Sequence, residues 1–246
     1  MAGFSTDPNP RLTHFAPDSS VDQKSAAVVF AGGGYRTRSE HEGEGYARTL
    51  AARGIHAFVC DYRVLGDRTP LHPAPIEDAL FAIHAVRSRA GEAGFSPRNV
   101  GVVGSSAGGH LAAHLSTAWK DFGPRFRPDW SVLCYPVIVL FGPAVNAGSR
   151  DALLGPDATD EEAAALSPHA MVDSATPPAF LWHTFEDDVV PVENPLLYAE
   201  ALRNAGVPFE LHVGERGAHG LGQSADFDWL ARAVQWLEIT GRIGCV

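Results

Sequence analysis

The stretch that most constrains the fold is residues 100–113, where a valine-rich apolar run stops at Gly104 and an Ala/Leu-rich helical pattern follows. The run is too short for a helix, so we predict a buried strand, a small-residue turn and a helix. Residues 104–108 match G-x-S-x-G, in which glycines flank a serine on a turn too sharp for neighbouring Cβ atoms. This turn lifts the Ser106 hydroxyl above the sheet edge, beside the first free N–H groups of the helix. Ser106 is therefore a candidate nucleophile, and the competing interpretation is a serine that only caps the helix.

The composition favours one globular α/β domain over residues 1–246, with 45% apolar and 20% charged residues. No apolar run approaches the roughly 18 residues of a membrane span. A formal net charge of -10 argues against nucleic acid or an anionic membrane as a partner, since both require clustered Lys and Arg. Residues 1–7 have neither a basic start nor an apolar core, so we expect no secretory signal and a cytoplasmic location.

The sequence contains no pattern typical of a bound metal or nucleotide. Cys60, Cys134 and Cys245 are an odd number without metal-ligand spacing, and the first two lie in strand-like runs, so we predict buried free thiols. Neither G-x-G-x-x-G nor G-x-x-x-x-G-K-[ST] occurs at the glycines of residues 32–34, which disfavours a phosphate-binding loop there.

Strand-like and helical segments alternate along most of the chain. Such alternation implies right-handed crossovers and a mostly parallel central sheet flanked by helices. Residues 1–25 form a polar lead-in with one short edge strand, and residues 137–176, here called the excursion, lie over the sheet edge with a loop and one helix. The predicted strands are residues 11–15, 26–30, 55–60, 100–103, 130–136, 179–184 and 208–213. The predicted helices are residues 42–53, 76–90, 111–119, 160–166, 193–204 and 227–239.

Polar residues at predicted strand ends could complete a catalytic site around the serine. Ser106, an acidic turn and His219 follow one another in the chain, and the carboxyl ends of parallel strands gather functional residues at one edge. A serine hydroxyl needs a base to become nucleophilic, and the base needs a carboxylate to fix its tautomer. His219, in a glycine-rich segment late in the chain, is the candidate base. Glu186, Asp187 and Asp188 remain alternatives for the acid, because only one of them can face His219.

Two glycines are candidates for stabilising negative charge on an attacked carbonyl. Gly33 and Gly34 follow a buried strand, and their N–H groups together with that of Ala107 are the predicted oxyanion-hole donors. The competing interpretation of the glycines is a tight turn only. Two other histidines have structural interpretations: His110 leaves the site on its helix and serves packing or the surface, and His183 belongs to a strand in the core.

Eight short blocks occur in an order that a known family shares. They are GGGY at 32–35, EGEG at 42–45, DYR at 61–63, GSSAGGHL at 104–111, YPV at 135–137, PPAFLWHT at 177–184, VPVEN at 190–194 and GAHG at 217–220. On these blocks the chain resembles the α/β-hydrolase family of acetyl esterases, related to bacterial acetylxylan esterases and hormone-sensitive-lipase-like carboxylesterases. The resemblance covers about residues 26–221 and implies the α/β-hydrolase fold without a large cap domain.

The resemblance also implies which residue is the acid of the triad. The chain departs from the family pattern at one position. In the family the acid stands four residues before the proline of a Val-Pro pair, which selects Asp187. The glycine loop of the family is often His-Gly-Gly-Gly, whereas Ala31 precedes the glycines here. The backbone donors survive that change, but a side-chain hydrogen bond that positions the loop is expected to be missing. The pocket is expected to be open or loop-lined, with residues 137–176 as its wall.

The activity that the resemblance implies is hydrolysis of a small ester through an acyl-enzyme on Ser106, without a metal or organic cofactor. Acetyl is the expected acyl group, and a saccharide alcohol is implied by the resemblance alone. The alternatives are hydrolysis of amides or peptides on the same triad, and a non-catalytic binding protein on a hydrolase fold. The expected partner is a small-molecule ester, and the oligomeric state stays open, with a homodimer allowed.

Overall fold

A seven-stranded sheet in the order β1-β3-β2-β4-β5-β6-β7 forms the centre of the computed structural model, which describes residues 9–21, 24–66, 70–223 and 228–244. Only β1 is antiparallel to its neighbour, β3, and every other pairing is parallel. The strands are β1 Leu12–Phe15, β2 Ser25–Phe30, β3 Ile55–Cys60, β4 Val100–Ser105, β5 Ser131–Cys134, β6 Ala179–Thr184 and β7 Phe209–Gly214. The predicted mostly parallel α/β sheet is confirmed.

Helices cover both faces of the sheet. One face packs against α2, α4 and α8, and the opposite face packs against α1 and α9. Successive residues of β2 enter opposite cores, with Val28 on the first face and Val29 on the second, as the alternation of a strand requires. The helices are α1 Glu40–Ala52, α2 Ala74–Ser88, α3 Ala90–Ala93, α4 Ser106–Ala118, α5 Ala147–Leu154, α6 Asp160–Ala165, α7 Pro168–Met171, α8 Glu193–Asn204 and α9 Trp229–Ile239.

Burial on both faces explains why the central strands are continuous apolar runs. Every residue of β2, β3, β4, β5 and β6 is buried, whereas β1 and β7 at the two edges are partly exposed. Parallel sheets covered by helices have this pattern, because neither face meets water. Cys60 and Cys134 are buried free thiols within β3 and β5, as predicted. Cys245 lies outside the described residues, as do residues 1–8 of the lead-in.

The excursion is more helical than the sequence pattern indicated. The predicted loop contains α5, which begins where the Asn146 side chain accepts a hydrogen bond from the N–H of Ser149. The segment is fixed to the start of α8 by Asn194, whose Oδ1 accepts from the N–H groups of Ile138 and Val139 at 2.8 and 2.9 Å. Its place as a pocket wall stays a prediction. Among the residues that the structure describes, no helix is long and apolar enough to cross a membrane.

Candidate active site

Ser106 occupies a strained turn between β4 and α4. Its φ is +52°, a left-handed conformation that costs a residue with a Cβ on the order of 1–2 kcal/mol. A Cβ added to Gly104 would lie 2.2 Å from the carbonyl oxygen of Gly108, and one added to Gly108 would lie 2.1 Å from that of Phe30. Both glycines are therefore required by close backbone approach. The predicted turn around Ser106 is present, and it depends on glycine at both positions.

The Ser106 hydroxyl is hydrogen-bonded to His219, which is bonded in turn to Asp187. The Ser106 Oγ lies 2.8 Å from His219 Nε2, and His219 Nδ1 lies 2.6 Å from Asp187 Oδ2. An ionised carboxylate only accepts hydrogen bonds, so Nδ1 carries the ring proton and Nε2 accepts from the serine hydroxyl. Residues 113 positions apart in the sequence thus meet at the carboxyl ends of β4, β6 and β7. In this arrangement Nε2 can take the serine proton.

The acidic turn after β6 brings one of its three carboxylates to His219. Asp187 is buried, whereas Glu186 and Asp188 are exposed. Asp187 Oδ1 accepts from the N–H groups of Val189 and Val190 at 3.0 and 2.8 Å, which fixes the carboxylate plane. Burial alone would raise the pKa of Asp187, but the hydrogen bonds from His219 and from these two N–H groups outweigh it and lower that pKa. Asp187 is accordingly held as an anion beside the imidazole.

The glycine loop after β2 has an unusual backbone conformation. Gly33 and Gly34 have φ values of +130° and +61°, and a Cβ on Gly33 would lie 2.4 Å from the Thr37 carbonyl oxygen. The Gly33 carbonyl accepts from the N–H groups of Arg36 and Thr37, which closes the loop. Within the described part of the chain, the N–H groups of Gly33 and Gly34 donate to no protein acceptor. They are available to a ligand, as the oxyanion-hole interpretation requires.

The two other histidines of the motifs lie in the core. Burial lowers the pKa of His110 to about 4, and its ring bonds the Tyr35 hydroxyl at 2.7 Å and the Leu166 carbonyl at 2.9 Å. His183 is fully buried in β6, with Nε2 at 3.8 Å from Asp187 Oδ2. Neither ring bonds Ser106. His110 holds the glycine loop through Tyr35, the residue that follows Gly34.

Sequence reasoning missed the residue that positions the glycine loop. Glu42 Oε2 accepts from the N–H of Gly32 at 2.8 Å, so the bond expected to be missing after Ala31 is supplied from α1. The signal was present: Glu42, Tyr46 and Leu50 recur every four residues, which puts the carboxylate on the buried face of the helix. A buried acid at such a position needs partners.

The site offers protein groups that are suited to acyl transfer. Among the described residues, no three or more His, Cys, Asp or Glu side chains are grouped so that they could hold a metal ion. The described geometry brings together a hydroxyl, an imidazole and a carboxylate, and the nearby loop has backbone N–H donors.

Several known proteins are similar to this chain in sequence and in fold. A family model described as alpha/beta hydrolase fold matches residues 27–222. The chain is 38% identical over 221 residues to endo-1,4-beta-xylanase B of Butyrivibrio fibrisolvens, covering 86% of this chain and 34% of that protein. It is 32% identical over 245 residues to an acetylxylan esterase of Xylanibacter ruminicola, covering 96% of this chain and 49% of that protein. The chain thus spans half or less of the length of these two relatives.

A solved structure resembles the chain over nearly its whole length. The acetyl ester-xyloside bifunctional hydrolase from Caldicellulosiruptor lactoaceticus superposes with a TM-score of 0.86 at 44% identity, covering 96% of this chain and 89% of that chain. An esterase from Thermogutta terrifontis superposes with a TM-score of 0.75 at 29% identity, covering 94% and 88%. The family resemblance that the motifs carried is confirmed. The chain belongs to the alpha/beta hydrolase fold family.

Proposed function

We propose that the chain is a serine carboxylesterase that hydrolyses small acyl esters, with acetylated saccharides as its substrate class. The observation that carries the proposal is the hydrogen-bonded series Ser106, His219 and Asp187, with the two joining distances of 2.8 and 2.6 Å. The unpaired N–H groups of Gly33 and Gly34 add the donors that an oxyanion requires. We assign Ser106 as nucleophile, His219 as base, Asp187 as orienting acid, and Gly33, Gly34 and Ala107 as oxyanion-hole donors.

In the first half-reaction, Ser106 Oγ bonds to the ester carbonyl carbon while its proton passes to His219 Nε2. The carbonyl oxygen becomes an oxyanion, which accepts hydrogen bonds from the N–H of Ala107 and from the glycine loop. When the tetrahedral intermediate collapses, the ester C–O bond breaks and the alcohol oxygen takes the proton from His219 Nε2. Asp187 stabilises the imidazolium formed between these events and stays ionised throughout.

In the second half-reaction, a water molecule attacks the carbonyl carbon of the acyl-enzyme and gives a proton to His219 Nε2. The same N–H groups stabilise the second oxyanion. Collapse breaks the bond to Ser106 Oγ, which takes back the proton from His219, and the carboxylic acid leaves. Atoms balance as one ester and one water giving one alcohol and one acid.

The substrate class is supported by the relatives. By name, one relative is an acetylxylan esterase and one structural neighbour is a bifunctional hydrolase of acetyl esters and xylosides, so both names join acetyl esters with xylose-containing compounds. The net charge of -10 disfavours a strongly anionic substrate on electrostatic grounds. Acetylated xylo-oligosaccharides are accordingly the first natural-type substrates to test.

The nucleophile is tested with Ser106→Ala on p-nitrophenyl acetate, where we expect kcat to fall on the order of 10⁶-fold. Ser116→Ala is the matched control, because Ser116 is also buried in α4 but donates only to the Ala112 carbonyl. Retained hydrolysis in Ser106→Ala would overturn the assignment. A fluorophosphonate that labels the native protein but not Ser106→Ala would exclude a non-catalytic binding protein.

The substrate class is tested with p-nitrophenyl esters of increasing acyl length, acetylated xylo-oligosaccharides, and an acetanilide matched to the aryl acetate. We expect kcat/KM to be highest for acetyl and to be higher for the ester than for the anilide. A higher rate on the anilide would favour an amidase on the same residues. No release of acetate from the oligosaccharides would remove the saccharide part of the proposal and leave the esterase.

A further inference from the structure

A buried carboxylate lies between the two loops that carry the proposed catalytic groups. Glu42 is 2% exposed, and both of its oxygens accept hydrogen bonds. Oε2 accepts from the N–H of Gly32, the first residue of the glycine loop, at 2.8 Å. Oε1 accepts from the Tyr135 hydroxyl at 2.5 Å. The hydrolytic steps described above use neither side chain.

Tyr135 continues the connection to the loop of the proposed base. Its hydroxyl oxygen accepts from the N–H of Gly222 at 2.9 Å, three residues after His219. Its ring packs edge-to-face against the His219 imidazole, with the centroids 4.9 Å apart. Burial and nearby acidic groups hold the pKa of Tyr135 well above its ordinary value, so the hydroxyl remains a donor to Glu42.

We propose that Glu42 and Tyr135 are positioning residues. They form a bridge of hydrogen bonds that runs from the Gly32 N–H through Glu42 and Tyr135 to the Gly222 N–H. This bridge fixes the position of the glycine loop, here called the oxyanion loop, relative to the loop that contains His219, here called the base loop. The inference rests on the proposed function, because it assigns the two loops their catalytic roles. It goes beyond that function by naming the residues that hold the two loops in position relative to each other.

The geometry favours positioning over simple filling of space. A Cβ added to Gly32 would lie 2.4 Å from Glu42 Oε2 and 3.0 Å from Ser106 Cβ. The carboxylate and the nucleophile therefore both pack closely against Gly32. A buried carboxylate costs several kcal/mol unless it is fully hydrogen-bonded, and an apolar residue would fill the same volume without that cost. The carboxylate adds two directed acceptors, one for the N–H of Gly32 and one for the Tyr135 hydroxyl, which in turn bonds the Gly222 N–H.

The Tyr135 hydroxyl also meets a second buried hydroxyl pair. Tyr46 lies 3.2 Å from it, and Ser105, the neighbour of the nucleophile, donates to Tyr46 at 2.9 Å. The network therefore touches the residue before Ser106 as well as both loops. A second contact between α1 and the base loop, His41 Nε2 to the Gly220 carbonyl at 3.2 Å, does not involve Glu42. Tyr135→Phe breaks the bridge and leaves this second contact in place.

The kinetic test compares Glu42→Gln and Tyr135→Phe with matched controls on p-nitrophenyl acetate. Glu44→Gln changes a partly exposed carboxylate of the same helix, and Tyr198→Phe removes a buried hydroxyl without a hydrogen-bond partner in the described structure. We expect kcat to fall roughly 10- to 100-fold in the two bridge variants, since small misplacement of catalytic groups costs that much, with KM within about twofold. The control variants should keep the native kcat.

Two further readouts separate positioning from stability. The double variant should lose less than the product of the two single losses, because both substitutions break one bridge. The rate ratio of p-nitrophenyl acetate to its thiono analogue should fall more in Glu42→Gln than in Tyr135→Phe, since sulfur accepts hydrogen bonds weakly and, of these two residues, Glu42 alone bonds the oxyanion loop directly. Multiplicative losses, or native kcat in Glu42→Gln, would overturn the bridge.

An activity-independent test follows amide hydrogen exchange in residues 219–222. Glu42→Gln should speed exchange at Gly222, which Glu42 does not contact directly, and Glu44→Gln should not. Unchanged exchange at Gly222 in Glu42→Gln contradicts the bridge even if the esterase assignment holds. If the native protein lacks Ser106-dependent hydrolysis, the proposed function fails, and the exchange result still decides whether the two loops are connected.

Discussion

The hydrogen bond between His219 Nδ1 and Asp187 Oδ2 determines which nitrogen of His219 carries the proton, so removing it should lower turnover. Asp187→Asn presents an amide N–H or carbonyl where an anion accepted from Nδ1, so the imidazole loses its fixed tautomer. We expect kcat to fall on the order of 10⁴-fold. Asp188→Asn is the control, because Asp188 is exposed on the same turn. A large loss in the control and a small one in Asp187→Asn would show that the acid is one position later.

The backbone conformation of Gly33 is a further feature on which the proposed site depends. Gly33→Ala adds a methyl group 2.4 Å from the Thr37 carbonyl oxygen at a φ of +130°, so the loop must rearrange. We expect a loss of roughly 10²- to 10³-fold in kcat for p-nitrophenyl acetate with a small change in KM, as when an oxyanion donor is removed. Gly45→Ala is the matched control, since no heavy atom lies within 4 Å of its added methyl group. Native turnover in Gly33→Ala would remove this loop from the oxyanion hole.

At the scale of elements, strands with continuous apolar runs could be predicted from sequence alone. Residues 55–60 and 179–184 form β3 and β6 at the predicted positions, because both faces of a central strand are covered and the pattern is local. Helix α8 likewise matches residues 193–204. By contrast, α5 was predicted as a loop: its eight residues have a weak pattern, and an asparagine cap and the burial of Ala152 and Leu153 in the core stabilise it.

The parts of the site that sequence could predict are those with local motifs. The turn around Ser106 and the glycines at 33 and 34 each depend on residues adjacent in the chain. The Glu42 to Tyr135 bond joins positions 93 apart, and no local pattern states which hydroxyl a buried carboxylate will meet. The partners of Glu42 therefore came only from the fold, whereas the long-range pairing of Ser106 with His219 and Asp187 was predicted from chain order and the family resemblance.

Packing between β4 and the start of β5 gives a prediction for stability. A Cβ on Gly101 would lie 2.1 Å from the indole of Trp130, which is buried and donates its Nε1 hydrogen to Asn99. Gly101→Ala should therefore lower the free energy of unfolding by roughly 1–3 kcal/mol through overpacking. Gly91→Ala, with nothing within 4 Å of the new methyl group, should not destabilise. Urea denaturation of both variants makes the comparison, and equal stabilities would contradict the packing argument.

At the scale of the whole molecule, buried histidines make stability depend on pH. Burial lowers the pKa of His110 to about 4 and that of His114 to about 3. The unfolded chain takes up these protons near its ordinary pKa of 6.5, so stability is full above that value and decreases as the pH falls toward 4. His114 alone accounts for about 2–3 kcal/mol between pH 7 and pH 4.5.

This pH dependence is measured by urea denaturation at both pH values. His114→Gln should show a smaller loss of stability on acidification than the native protein, since one buried site no longer titrates. His84→Gln, a change at an exposed position, is the control and should keep the native slope. A native slope in His114→Gln would show that other groups cause the acid sensitivity.

The 113 positions between Ser106 and His219 also have a consequence for the timing of synthesis. At about 5–20 residues per second, a ribosome makes the serine roughly 6–23 s before the histidine that would activate it. The residues of β5, β6 and β7 are all added during that interval, but the serine hydroxyl has no base until residue 219 has been made. The proposed hydrolysis therefore requires that nearly all of the described sheet has been made before the first ester is cleaved.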